Sequence, residues 1–137
     1  MSSFKYIIIP IIAVIISQTI KMLIDLFKYK RINLLKFFEG MGGMPSSHCA
    51  LVSSISTLIF LDVGCTSPLF GLCFIFSLVV IYDSMGVRYE SGMQARVLNR
   101  IANTSLKESL GHKPTEAIIG MILGVLLTLF FNYVILK

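Results

Sequence analysis

Four long apolar segments constrain the fold of this chain more than any other feature. They run from Phe4 to Phe27, from Ser47 to about Val63, from Pro68 to about Tyr82, and from Thr115 to Leu136. A helix needs roughly 20 apolar residues to cross the hydrocarbon core of a bilayer. Only 14% of the 137 residues are charged, whereas a soluble domain carries about 25%. The sequence therefore predicts a single all-α domain over 1–137, an integral membrane bundle of about four transmembrane helices.

The polar segments between these spans differ in charge. Segments 28–43 and 86–111 are basic, whereas the turn 62–67 has no positive charge. The positive-inside rule therefore predicts that both basic segments lie on the cytoplasmic face. We interpret the net charge of +5 as a signal of membrane topology and of attraction between the basic segments and the lipid surface. Nothing resembles a nucleic-acid-binding module, so no nucleic-acid partner is expected. Within segment 86–111, Val97, Leu98 and Ile101 predict a short amphipathic helix at the membrane surface, between about Met93 and Asn103.

A short polar turn, Met44-Pro45-Ser46-Ser47-His48, opens directly into the second apolar segment. Exposed N–H groups and the helix dipole make such a helix start an anion site. The hydroxyls of Ser46 and Ser47 would add donors, and His48 would supply a proton. The simpler interpretation is that a serine here caps the helix, as serine does in many proteins.

A second polar turn, Gly111-His112-Lys113-Pro114-Thr115-Glu116, opens the last apolar segment. His112 and Glu116 are four residues apart, which places them on one helical face. A carboxylate bonded to one imidazole nitrogen fixes the tautomer and raises the basicity of the other nitrogen, as a nucleophilic histidine requires. The simpler interpretation is a local pair at a helix entrance. The same stripe continues through Gly120, Gly124 and Thr128, which favours close helix packing.

The two histidines of the chain thus occupy helix entrances on the same predicted membrane face, each beside a basic segment. A nucleophile, a general acid and surrounding cations are what phosphoryl transfer through a phosphohistidine needs. In the first span, one helical face carries Gln18, Lys21, Asp25 and Lys28. Such a face either looks into the bundle or lies at the membrane surface, where long side chains snorkel.

These motifs resemble those of the type 2 phosphatidic acid phosphatase and vanadium haloperoxidase superfamily. Pro45-Ser46-Ser47-His48 is similar to its Pro-Ser-Gly-His motif, and His112-x-x-x-Glu116 to its His-x-x-x-Asp motif. The resemblance is closest to a divergent branch of small membrane proteins, and it also includes 82–88, Gln94-Ala95 and Leu98-Asn99. It implies that His112 is the nucleophile, that Glu116 orients it, and that His48 is the general acid.

The cationic motifs of that superfamily are only partly present. Lys21 and Lys28 have the spacing of its lysine–arginine pair, but lysine replaces the arginine, and Tyr29 replaces the proline that follows. Leu106 stands where a second arginine is expected, and Lys107 or Arg88 would have to substitute. Arginine binds phosphate bidentately and lysine does not. The expected phosphate-binding set is Lys21, Lys28, Ser46, Ser47, Arg88 and Lys107.

Two functions remain open from the sequence. The first is a membrane phosphatase that hydrolyses a lipid phosphate or diphosphate. The second is a catalytically inactive protein that binds phosphate head groups, or serves as a transport or scaffold subunit. A metal site built from Asp83, Glu116, His48 and His112 is a third hypothesis. However, the spacing of these residues is not diagnostic of a metal site, and the superfamily that the chain resembles works without a metal. No cofactor is therefore expected. The small-residue faces would pack within the bundle or between copies in a homo-oligomer.

Overall fold

The computed structural model describes residues 4–30, 43–106, 108 and 111–135. Over these residues α-helix is the only regular secondary structure and no strand is present, which confirms the predicted membrane helical bundle. Helix α1, the continuous run that begins at Pro68, and α5 are each long and apolar enough to cross a membrane, and α2 is a shorter apolar helix of 17 residues. The helices are α1 (Lys5–Tyr29), α2 (Ser47–Val63), α3 (Pro68–Met85), α4 (Val87–Ala102) and α5 (Pro114–Ile135).

Local sequence signals explain where the spanning helices begin. The Ser46 hydroxyl accepts a hydrogen bond from the Cys49 N–H and caps α2, and the Ser67 hydroxyl caps α3 through the Leu69 N–H. Pro68 and Pro114 each occupy the first position of a helix, where the missing N–H of proline costs no hydrogen bond. Helices α2 and α5 begin at one end of the bundle, and α3 begins at the other.

Helix α2 is the centre of the bundle and packs against α1, α3 and α5. Its closest approach is to α5, because Gly120 and Gly124 lie directly against the backbone of Ser46 and Ala50. The Ser54 and Thr128 hydroxyls are hydrogen-bonded at 2.7 Å across the same interface. The small-residue stripe of α5 is therefore used for packing inside one chain. The apolar core beside it consists of Cys49, Val52, Ile81 and Ala117.

Helix α4 is longer than the amphipathic helix that the sequence predicted, since it begins at Val87 rather than near Met93. Gly86 separates it from α3, but the hydrogen-bond ladder continues through this glycine. Its N–H donates to the Tyr82 carbonyl, and its carbonyl accepts from the Glu90 N–H. The amphipathic pattern identified only the second half of the helix, where Val97 and Ile101 are exposed.

The two ends of the bundle carry different polar groups. At one end, Lys5 pairs with Asp62 at 2.7 Å, and the Tyr6 hydroxyl donates to the same carboxylate. This cluster joins the start of α1 to the end of α2. At the other end α2 and α5 begin and α3 ends, and the two histidines lie there.

Candidate functional site

The structure brings His48 and His112 together from opposite halves of the chain. His48 is the second residue of α2, and His112 lies just before α5. Their ring centroids are 6.5 Å apart, and the ring planes are inclined by 55°. Both imidazoles can therefore reach one small group placed beside them.

Glu116 holds the His112 ring in a defined orientation. Its Oε2 lies 3.2 Å from Nδ1 of His112 and also accepts from the backbone N–H groups of Lys113 and Gly43, each at 3.2 Å. The bond to Lys113, which directly precedes α5, is one half of a capping box. Because Nδ1–H donates to the carboxylate, the Nε2 lone pair of His112 is free to act as a nucleophile.

The backbone of His112 is held by the corner between α3 and α4. Its N–H donates to the Ser84 carbonyl at 2.9 Å. A Cβ on Gly111 would lie 2.6 Å from both the Ser84 carbonyl oxygen and the Tyr89 nitrogen, so only glycine fits there. Ser84 is not among the site residues that the sequence predicted. The glycine directly before His112 was the available signal that another backbone approaches closely.

His112 is 4% exposed, and this burial lowers its pKa below the ordinary value. The hydrogen bond to Glu116 opposes the shift, and the positive charge of Lys21 adds to it. The ring is therefore mainly neutral at pH 7, which is the protonation state a nucleophile needs.

Lys21 faces into the bundle at the same level. Its side chain is 8% exposed and passes beside Gly43, and the charges of Glu116 and Asp25 act on it. One turn before it, Gln18 donates to the Ser47 hydroxyl at 3.4 Å. The sequence left open whether this face of α1 looks into the bundle or lies at the membrane surface. Gln18 and Lys21 look into the bundle.

The other cations lie further out. Arg88 is half exposed and pairs through Nε with Asp83 at 3.3 Å, while its charge still acts on both histidines. Lys28 is exposed, two turns beyond Lys21 on α1. Lys107 lies outside the described residues. Lys21 and Arg88 are thus the predicted cations whose charges act on His112, whereas Lys28 is exposed further along α1.

The two serines connect the histidine motifs. Ser46 is fully buried, and its backbone N–H donates to the Glu116 carbonyl at 3.1 Å. Its hydroxyl accepts from Cys49, which is the ordinary capping role, and the Ser47 hydroxyl accepts from Gln18. Each hydroxyl still has its own O–H to donate. Capping and anion binding are therefore compatible at this turn.

His48 Nδ1 is buried and has no hydrogen-bond partner within the described part of the chain. Buried side-chain nitrogens normally have a partner, so an exception at a cluster of functional groups needs an explanation. A ligand or water between the histidines would supply one. Among the residues that the structure describes, no three His, Cys, Asp or Glu side chains are placed to hold a metal ion.

Asn99 organises the chain that leads from α4 towards His112. Its carboxamide donates to the Leu106 carbonyl and to Glu108, and accepts from the Leu106 N–H and the Thr104 hydroxyl, at 2.8–2.9 Å. The Asn99 hydrogen bond and the nearby Arg96 hold the pKa of Glu108 below its usual range, so this carboxylate stays ionised at neutral pH.

Most of the chain is similar to known proteins. Residues 3–127 match the model of the divergent PAP2 family. The chain is also 34% identical over 142 aligned positions to the uncharacterized membrane protein YuiD of Bacillus subtilis (strain 168), and the alignment covers 88% of this chain and 89% of that relative. No solved structure matches the chain.

Proposed function

Because the chain belongs to the divergent PAP2 family, we propose that it is a membrane phosphatase that hydrolyses a lipid phosphate or diphosphate through a phosphohistidine. The observation that carries this proposal is the pair of facing imidazoles, His48 and His112, one of which is oriented by the Glu116 carboxylate. This is the arrangement of nucleophile, orienting group and general acid described for covalent catalysis.

The reaction has two steps. In the first, Nε2 of His112 attacks phosphorus, the bond from phosphorus to the lipid oxygen breaks, and His48 donates a proton to that oxygen. In the second, His48 takes a proton from water, the water oxygen attacks the phosphohistidine, and inorganic phosphate and neutral His112 are released. Glu116 keeps the attacking tautomer in place and stabilises the positive charge that His112 acquires.

Cations and helix-start donors stabilise the charge on the transferring group. Lys21 and Arg88 are positive charges that act on His112, and Ser46 and Ser47 stand at the N-terminus of α2. Lys28 and Lys107 complete the proposed phosphate-binding set.

The site is assigned to the cytoplasmic face, which the positive charge of segments 28–43 and 86–111 supports. The chain offers a direct test, because Cys65 is exposed in the turn at the opposite end of the bundle. In sealed cells, an impermeant thiol reagent should label Cys65 of the parent and should not label a Cys65→Ser, Lys113→Cys double variant. The reverse pattern would place the histidines outside.

Phosphate release tests the activity itself. Purified protein in detergent should release phosphate from at least one member of a panel of lipid phosphates and diphosphates. His112→Ala should release none while it stays folded. Turnover that persists in the variant would exclude His112 as the nucleophile.

The second candidate is a protein that binds phosphate head groups without hydrolysing them. The observation that favours it is the weakened cation set, in which Leu106 replaces an arginine of the superfamily and Arg88 is paired with Asp83. It predicts that vanadate or phosphate raises the melting temperature while no substrate is turned over. If neither anion shifts the melting temperature, this candidate loses its basis.

A further inference from the structure

A buried contact between two small side chains joins the start of α2 to the end of α3. Cys49, which follows His48 directly, is fully buried, and its Sγ lies 3.8 Å from the Ser84 hydroxyl. That hydroxyl is the acceptor in this contact, because it gives its own proton to the Ile81 carbonyl at 2.7 Å. The helix turn that carries His48 is therefore packed directly against Ser84.

Ser84 also holds the turn that carries the other histidine. Its carbonyl accepts from the His112 N–H at 2.9 Å. A Cβ on Gly111 would lie 2.6 Å from the same carbonyl oxygen, so this turn and the end of α3 are in direct backbone contact. Ser84 is 1% exposed. One buried residue thus contacts α2 through its side chain and the His112 turn through its main chain.

The two histidine motifs are joined a second time, on the side of α5. The Ser46 N–H donates to the Glu116 carbonyl at 3.1 Å, and Glu116 Oε2 lies 3.2 Å from Nδ1 of His112. His112 is therefore held from α3 and from α5, whereas His48 belongs to α2. Because protein interiors are closely packed, a larger side chain at the contact between α2 and α3 would shift the attached backbone.

We propose that Ser84 is a positioning residue that sets the separation between the His48 and His112 rings. The inference rests on the proposed function, because it takes one ring to attack phosphorus and the other to protonate the leaving oxygen. A small side chain at Ser84 lets the end of α3 approach Cys49, and the His112 turn comes with it, which leaves the ring centroids 6.5 Å apart. A larger side chain would widen this gap, so that His48 no longer reaches the leaving oxygen.

Ser84→Val tests the proposal through the leaving group of the substrate. Loss of an alkoxide requires the proton of His48, whereas loss of nitrophenolate does not. A displacement of about 1 Å costs up to roughly 100-fold in rate. The first turnover of an alkyl phosphate should therefore fall roughly 10- to 100-fold more than that of p-nitrophenyl phosphate. Equal losses on the two substrates, or no loss on either, would overturn the proposal.

Ser77→Val is the matched control. Ser77 lies about two turns earlier on α3, is also buried, and is bonded to Ser56 of α2 at 2.8 Å. This variant should also lose stability, but the ratio of its rates on the two substrates should stay that of the parent. A ratio that falls as far in Ser77→Val as in Ser84→Val would reflect a general loss of packing and would overturn the proposal.

Two further variants keep the test independent of folding. If Ser84→Val does not fold, Ser84→Thr adds a single methyl group and should change the rate ratio in the same direction. Replacing the neighbouring thiol in the same chain, as Cys49→Ala with Ser84→Val, makes room for the valine and should move the ratio back towards that of the parent. A ratio that this second change leaves unaltered would contradict the contact as its cause.

Imidazole NMR tests the separation without requiring turnover. The chain has two histidines, so isotopic labelling of histidine reports on these two rings alone. The probe is vanadate, a phosphate mimic, added to the full-length protein in detergent. Vanadate should shift the signals of both rings in the parent and in Ser77→Val, but mainly those of His112 in Ser84→Val. Equal shifts of both rings in Ser84→Val would overturn the positioning role alone, whereas no shift in the parent would overturn the proposed function and this role with it.

Discussion

The imidazole rings of His48 and His112 lie 6.5 Å apart at 55°, although one opens the second helix and the other precedes the last. Among the described residues, His112 has a carboxylate as a hydrogen-bond partner, whereas His48 Nδ1 has no partner. The two rings are therefore not equivalent. The oriented ring suits the nucleophile, and the other suits proton transfer to and from the reacting oxygens.

The effect of His48→Ala on the reaction rate should depend on the leaving group of the substrate. The variant should lose about 10²- to 10⁴-fold in the first turnover of an alkyl phosphate, because the alkoxide needs a proton as it departs. The first turnover of p-nitrophenyl phosphate should change much less, because nitrophenolate leaves without one. Rapid-quench measurement of both rates checks this. An equal loss on the two substrates would contradict the assignment of His48 as general acid.

Glu116→Gln should move the acid limb of the pH profile to lower pH. Burial holds the pKa of His112 below 6.5, and the Glu116 carboxylate is an interaction that raises it. Activity in the parent should fall as the pH drops through this lowered pKa, because protonation removes the attacking lone pair. Without the carboxylate the pKa falls further, and the plateau rate also falls because the tautomer is no longer fixed.

The readout for Glu116→Gln is kcat/KM against pH, which reports groups in the free enzyme. Lys113→Gln is the matched control, because Lys113 is exposed and contributes through its backbone N–H. Its acid limb should coincide with that of the parent. If the acid limb of Glu116→Gln stays in place or moves to higher pH, Glu116 does not raise the pKa of His112 and the proposed role of this pair is wrong.

Lys21 and Lys28 should differ in their contribution to anion binding. Lys21 is buried beside Glu116, whereas Lys28 is exposed. A hydrogen bond to a charged group contributes about 1.5–3 kcal/mol, so Lys21→Met should weaken vanadate binding by roughly 10- to 100-fold. Lys28→Met should have a clearly smaller effect. Calorimetric titration of vanadate measures both, and equal effects would contradict the placement of Lys21 at the site.

Gly120→Ala should destabilise the bundle and disturb the site together. A Cβ there would lie 3.0 Å from the Ser46 nitrogen and closer still to its carbonyl oxygen. Overpacking of this kind costs about 1–3 kcal/mol. Gly71→Ala is the control, since nothing lies within 4 Å of the added Cβ, and alanine in a helix is favoured by roughly 0.5–1 kcal/mol. Melting temperatures should shift in opposite directions, and a neutral Gly120→Ala would contradict the close packing.

The sequence predicted those features of the fold and the site that depend on local patterns of residues. Apolar length predicted the membrane bundle, and the spacing of His112 and Glu116 predicted their contact. It did not predict contacts made between distant segments, such as the Ser84 carbonyl that holds His112. Whether Lys21 turned inward was also undecided, because a helical face alone does not say which neighbour covers it.

Trapping of the covalent intermediate tests the central claim most directly. His48→Ala lacks the group that activates water, so a single turnover of p-nitrophenyl phosphate should leave phosphate on the enzyme. Acid-labile phosphate should then be found on His112 by mass spectrometry under alkaline conditions, in an amount equal to the nitrophenol released. Release of nitrophenol by folded protein with no phosphate on His112, or with phosphate on another residue, would contradict the phosphohistidine mechanism.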